Sequence, residues 1–74
     1  MNRLETLRRY EANISASIIE LNDAHLRLSN LVDMGDTATF DGVDAAKEHI
    51  VQAIARLGVE IEEVRREIRS EENT

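Results

Sequence analysis

The sequence is dominated by a heptad repeat that occurs twice. From Leu4, alternating steps of three and four residues reach positions 4, 7, 11, 14, 18, 21, 25, 28 and 32, which are all aliphatic except Glu11 and His25. A second series, at positions 43, 47, 50, 54, 57, 61, 64 and 68, is interrupted only by Lys47. This spacing lays an apolar stripe along one side of an α-helix and is typical of coiled coils. The sequence therefore predicts two amphipathic helices, each with an apolar seam.

The segment between the two series carries signals for a helix end and a helix start. Gly35 can adopt the left-handed conformation that terminates a helix, and Asp41 can accept hydrogen bonds from the first free amides of the next one. Phe40 is expected to fold over the first turn as a hydrophobic staple. At the amino terminus, Asn2 and Glu5 have the spacing of a capping pair. We expect one domain over residues 1–74, with helix 3–34, loop 35–41, helix 42–69 and a frayed tail 70–74.

A connection this short brings the two helices together antiparallel. The two seams then share one register, in which Leu21 faces Ile54 and Ile14 faces Ile61. The expected fold class is all-α, an antiparallel two-helix hairpin that resembles a coiled coil. The polar seam residues, which are Glu11, His25 and Lys47, are expected to specify register at some cost in stability.

Apolar residues also occur beside the seam, where a hairpin alone would leave them in water. We call six of them the apolar face, and they are Ala12, Ile19, Leu26, Val51, Ala55 and Val59. The opposite flank carries Ala24, Leu31, Ala46 and Ala53. Such a wide stripe favours burial against another chain. We expect a homodimer that forms a four-helix bundle with Ile19 and Leu26 at its centre, and the alternative is that the same stripe docks on a different protein.

The charge balance is acidic, and it is uneven along the chain. Fifteen Asp and Glu oppose nine Lys and Arg, for a net charge of −6, which argues against duplex DNA as a partner. Four acids gather around the loop, and we call them the acidic loop end: Asp33, Asp36, Asp41 and Asp44. Their spacing does not match a calcium-binding loop. They are expected to contact a basic region of a partner protein.

Arginines gather at the other end, where the two termini meet. This arginine cluster, at what we call the open end, comprises Arg3, Arg8, Arg9, Arg65, Arg66 and Arg69. The expected architecture resembles that of the small plasmid RNA-binding proteins of the Rop type, which are also dimers of helical hairpins, although no sequence motif is shared with them. The resemblance implies an alternative function in which the arginine cluster contacts RNA phosphates.

Several classes of function are disfavoured by what the sequence lacks. It has no Cys, and His25 and His49 have no metal-ligand spacing, so no metal or other cofactor is expected. Nothing resembles a nucleophile with its base or a phosphate-binding loop, so we do not expect an enzyme. No window has the roughly 20 apolar residues of a membrane span, so no membrane association is expected, and the default location is the cytoplasm.

These observations favour a non-catalytic module for protein–protein interaction. The expected protein is a small acidic adaptor, assembly factor or inhibitor, of the kind that phages and plasmids encode, acting through its apolar face and acidic loop end. The remaining alternatives are the RNA-binding hairpin dimer and a structural subunit of a larger coiled-coil assembly.

Overall fold

The computed structural model describes residues 2–33 and 40–73, which form two long helices. Helix α1 spans Arg3–Asp33 and helix α2 spans Phe40–Glu72. Ion pairs join the first turns of α1 to the last turns of α2, as between Arg8 and Glu72, so the helices are antiparallel. The hairpin is an elongated rod of 56 × 16 × 15 Å. The predicted fold class, an all-α helical hairpin, is confirmed.

Both ends of α2 extend beyond their predicted positions. The helix begins at Phe40 rather than at residue 42, and it ends at Glu72 rather than at residue 69. Asp41 is therefore not the cap that we predicted but lies in the first turn, where its carboxylate is favoured by the positive end of the helix dipole. The last turn persists because Glu71 and Glu72 form ion pairs with α1. The predicted turn at Gly35 lies outside the described residues, as does the side chain of Phe40.

The start of α1 is capped as predicted. The side-chain oxygen Oδ1 of Asn2 accepts a hydrogen bond from the amide of Glu5 at 2.8 Å. The Asn2 carbonyl accepts a second bond from the Thr6 hydroxyl at 3.1 Å. The bond to Oδ1 satisfies an amide that the first helical turn would otherwise leave to water, whereas the Asn2 carbonyl also accepts the backbone amide of Thr6.

The core lies along the predicted seam. Each predicted seam residue with a described side chain is buried or half-buried, including the polar Glu11, His25 and Lys47. Among the described side chains, the buried ones are Leu7, Ile61, Val64 and Ile68. Leu7, Val64 and Ile68 form one cluster, and Leu4 and Ile14 pack against it. The most deeply buried part of the seam is thus at the open end.

Candidate protein interaction surface

Ion pairs between the helices distinguish the two sides of the hairpin. On one side, the guanidinium Nη2 of Arg8 lies 3.0 Å from a carboxylate oxygen of Glu72. On the same side, Nε of Arg65 donates a hydrogen bond of 2.9 Å to Glu11. The hydrogen bond from Arg65 to Glu11 raises the pKa of Arg65, so this guanidinium stays charged.

A second set of ion pairs lies on the opposite side of the seam. Arg3 is 3.0 Å from Glu71 and 3.4 Å from Glu67. Arg3 and Arg8 therefore reach α2 across opposite flanks of the seam. Residues seven apart in a coiled-coil helix lie on the same side. The contacts of Arg3 and Arg8 therefore define the two flanks of the seam, and the heptad position of any other flanking residue assigns it to one of them.

The apolar face lies on the side of the Arg8 to Glu72 pair. Asn22 follows Arg8 by two heptads and Val51 precedes Glu72 by three heptads, so both lie on the same side as that ion pair. Both also line a cleft of about 230 Å³ that bridges the two helices. His25 and Ile54 complete the lining of this cleft. Residues three or four apart on a helix are surface neighbours. On α1, Ile19 and Leu26 therefore flank Asn22.

The corresponding part of α2 is a continuous stripe. Val51, Ala55 and Val59 follow each other at four-residue intervals, so their side chains adjoin along the helix. The stripe starts at the rim of the cleft, because Val51 lines it. The two helices therefore contribute to one surface.

All six residues of the apolar face are exposed in the single chain. Ile19 retains 68% of its full accessibility, Val59 61%, Leu26 58% and Val51 51%, and the two alanines are exposed as well. Large aliphatic side chains this exposed are individually ordinary, but a contiguous group of them is typical of a binding surface. The structure thus brings together the residues that the heptad pattern grouped, and their role as an interface stays a prediction.

Three residues in the middle of this side were not singled out from the sequence. Ser15 and Gly58 are half-buried and Asn22 is exposed. Ser15 and Asn22 have the heptad position of Arg8, and Gly58 has that of Glu72. Assigning every residue to a heptad position would therefore have identified them. None of the three carries a charge. On α1, the exposed Asp23 adjoins both Ile19 and Leu26, and it forms an ion pair with Arg27 at 3.0 Å.

The opposite flank is more polar. Leu31 is exposed, whereas Ala24, Ala46 and Ala53 are half-buried. The cleft on this flank, of about 330 Å³, is lined by His49, Gln52, Ala53, Arg56 and Leu57. Arg56 borders this cleft, whereas the cleft of the apolar face has no charged lining residue, and a histidine lines each of the two clefts.

The acidic loop end is only partly described. Asp41 and Asp44 are exposed on the first turns of α2. Asp36 and the side chain of Asp33 lie outside the described residues. Within residues 2–33 and 40–73, no ion pair involves Asp41 or Asp44.

The arginine cluster divides into two groups. Arg3, Arg8 and Arg65 each form ion pairs with glutamates of the hairpin. The other three, which are Arg9, Arg66 and Arg69, are exposed, and none of them forms an ion pair with another described residue. Half of the cluster is therefore neutralised locally.

The histidines lie on opposite flanks. His25 lines the cleft of the apolar face and His49 the cleft of the opposite flank, so they are not placed to share a ligand. Among the described residues, no group of three or more His, Asp or Glu is arranged to hold a metal ion. Neither helix, over its described residues, is long and apolar enough to cross a membrane.

Comparisons with known proteins add no relative. No protein-family model matches the sequence, and searches of curated proteins and of solved structures find no match.

Proposed function

We propose that the protein is a non-catalytic module for protein–protein interaction, and that its apolar face packs against another chain to complete a helical bundle. The observation that carries this proposal is the exposure of Ile19, Leu26, Val51 and Val59 together on one side of the hairpin. In this role the chain acts as an adaptor, assembly factor or inhibitor, and it self-associates as a dimer of hairpins.

The energetics of a small hairpin support this proposal. Only Leu7, Ile61, Val64 and Ile68 are buried among the described side chains, and all of them lie near the open end. Chains of this size seldom bury enough apolar area in one core to be stable alone, and association is a common remedy. Fully burying one aliphatic side chain contributes roughly 1.5 to 3 kcal/mol, so covering the apolar face would add substantially to the free energy of unfolding.

The RNA-binding alternative has less support. Arg3, Arg8 and Arg65 are engaged by carboxylates, and the chain has a net charge of −6. RNA phosphates would have to compete with those carboxylates for the guanidinium groups.

The test compares two substitutions of exposed aliphatic residues on opposite sides. Ile19→Asp places a charge in the middle of the apolar face, whereas Leu31→Asp places the same charge on the opposite flank. We expect Ile19→Asp to abolish association, measured as solution mass by light scattering and as retention of a partner protein by the tagged chain. Leu31→Asp should retain both properties.

Circular dichroism shows whether each variant is still helical, so loss of folding is distinguishable from loss of binding. The proposal is overturned if a helical Ile19→Asp variant keeps the mass and the partners of the parent chain. It is also overturned if both variants lose association equally, because the effect would then not belong to the apolar face.

A further inference from the structure

We infer that a second copy of this chain covers the apolar face in one particular orientation, with the loop end of each hairpin lying over the open end of the other. The inference rests on the proposed function and specifies its partner. The two-fold axis would cross α2 at Ala55. This orientation follows from two features of the described residues, which are the spacing of the apolar side chains and the distribution of unpaired charges.

The first feature is self-complementarity of the apolar face. When two identical helices cross antiparallel on a two-fold axis, residues equally distant from the axis face each other. On α2, Val51 and Val59 lie four residues on either side of Ala55. In this orientation Val51 would face the partner's Val59.

A single axis crosses both helices at the same height along the hairpin. In the register that places Leu21 opposite Ile54, Ala55 is level with residue 20 of α1, and Ile54 lines a cleft with Asn22. Ile19 therefore lies next to the axis and would lie beside the partner's Ile19. The small side chain of Ala55 at the crossing point also allows the two copies of α2 to approach closely.

The second feature is charge. The same symmetry that pairs Val51 with the partner's Val59 brings Asp41 beside the partner's Arg69 and Asp44 beside the partner's Arg66. All four of these residues are exposed. Within the described residues of a single hairpin, none of them forms an ion pair. A second copy of the chain would thus supply the basic groups that the acidic loop end was expected to contact.

One like-charge contact accompanies these pairs. Glu48 would lie near the partner's Glu62, whose carboxylate is already 3.2 Å from Arg65 within its own hairpin. That guanidinium reduces the repulsion, so the net charge complementarity of the orientation is preserved.

The competing orientation places the two loop ends together, with α1 of each copy over α2 of the other. It would bring Asp41, Asp44 and Glu48 of both copies to the same end of the bundle, where the half-buried Lys47 is the base of the described segment 41–48. Like charges in close juxtaposition disfavour such an interface. The charge distribution therefore selects the loop-to-open-end orientation.

Cysteine cross-linking tests the axis, and the chain has no cysteine of its own. Ala55→Cys should give a disulfide-linked dimer in nearly full yield under mild oxidation, because facing Cα atoms at a close helix crossing fall in the range that a disulfide spans. Ala45→Cys is the matched control, an exposed alanine on the same helix but away from the axis. It should stay largely uncross-linked.

Charge exchange tests the ion pairs. A chain with Asp41→Arg and Asp44→Arg, and a second chain with Arg66→Asp and Arg69→Asp, should each self-associate roughly 10-fold or more weakly than the parent. An equimolar mixture should recover parent-like affinity as a heterodimer. Helix-dipole penalties within each chain persist in the mixture, so recovery reports only on contacts between copies.

The outcomes separate this inference from the proposed function. If the parent dimerises through the apolar face but Ala55→Cys does not cross-link and the mixture does not recover, the orientation is wrong and the face remains an interface. If Ala55→Cys and Ala45→Cys cross-link equally, the linkage is collisional and the axis is wrong. If the parent is monomeric, both this inference and the dimer of the proposed function fail.

Discussion

The two halves of the hairpin carry the same heptad repeat but are packed differently. At the open end, Leu7, Val64 and Ile68 form a buried cluster, and the ion pairs between α1 and α2 flank it. Toward the loop, the seam residues with described side chains are only half-buried, as with Leu28 and Ile50. A heptad repeat therefore determines which side of a helix faces its neighbour but not how completely that side is buried.

The difference has a local cause. In the loop half, His25 and Lys47 occupy seam positions, and their polar groups retain access to water. At the open end, long charged side chains such as Arg8 and Glu72 extend over the flank of the seam, and their aliphatic stems cover apolar surface. Exposed large residues occur in both halves, since Leu26, Leu31 and Val51 lie toward the loop, and Tyr10 and Val59 lie toward the open end.

Truncating one seam leucine in each half should show the largest difference. Leu7 is 6% exposed. The substitution Leu7→Ala should therefore lower the free energy of unfolding by roughly 3 kcal/mol, which is within the range for buried leucines. Leu28→Ala should lose clearly less, because Leu28 is only half-buried. Urea denaturation at equal protein concentrations measures both values. Equal losses would mean that the two halves are packed alike.

Replacing one of the two polar seam residues of the loop half should make that half resemble the open end. Lys47 is half-buried, so Lys47→Leu would add apolar burial. It should stabilise the hairpin by roughly 1.5 kcal/mol, the lower end of the range for a fully buried aliphatic side chain. Thermal denaturation followed by circular dichroism would record a higher Tm. Glu48→Leu, at an exposed neighbouring position, is the control and should leave Tm nearly unchanged.

The cap at the open end offers a smaller perturbation. Removing the acceptor as Asn2→Ala breaks the 2.8 Å bond to the amide of Glu5 and should cost about 1 kcal/mol of unfolding free energy. Amide hydrogen exchange of the first turn of α1 should accelerate as well. Asn2→Asp keeps the acceptor, so its first turn should be as protected from exchange as in the parent. If Asn2→Ala leaves both the stability and the exchange rates unchanged, the cap is dispensable.

The smallest expected effect belongs to the ion pair between Arg65 and Glu11. Both side chains are partly exposed, with relative accessibilities of 44% and 33%, so screening by water limits the coupling to roughly 0.2 to 1 kcal/mol. A double-mutant cycle with Glu11→Gln and Arg65→Gln isolates that coupling. It should decrease in high salt. A coupling of zero would exclude this pair from the features that distinguish the open end.

The seam was predictable from the sequence because it depends only on spacing. Leu7, Ile14, Val64 and Ile68 were all assigned to it, and all are buried or pack against the buried cluster. The amino-terminal cap was likewise local, since Asn2 and Glu5 are three residues apart. Such features follow from backbone geometry that neighbouring residues share.

The ends of α2 were not predictable from the same signals. Asp41 has the chemistry of a cap, yet Phe40 already lies within the helix. Residues 70–72 were expected to fray because the apolar seam ends at Ile68, whereas Glu71 and Glu72 are engaged by arginines of α1. Contacts between residues more than sixty positions apart decide that boundary, and no local pattern reports them.

The surface was predictable as a group of residues but not as a site. Ile19, Leu26 and Val51 were grouped by heptad position, and they are exposed together on one side. What covers them depends on a second chain, whose contacts no single-chain pattern contains. The acidic loop end has the same character, since Asp41 and Asp44 form no ion pair within the described residues of the hairpin.

Sedimentation equilibrium of the unmodified chain, over a wide range of loading concentrations, measures whether the hairpin associates with a second copy. The account predicts a reversible equilibrium that approaches twice the 8.4 kDa chain mass as concentration rises. A single species of 8.4 kDa at every concentration, with helicity intact, would contradict the account, because the apolar face would then remain in water in a stable hairpin.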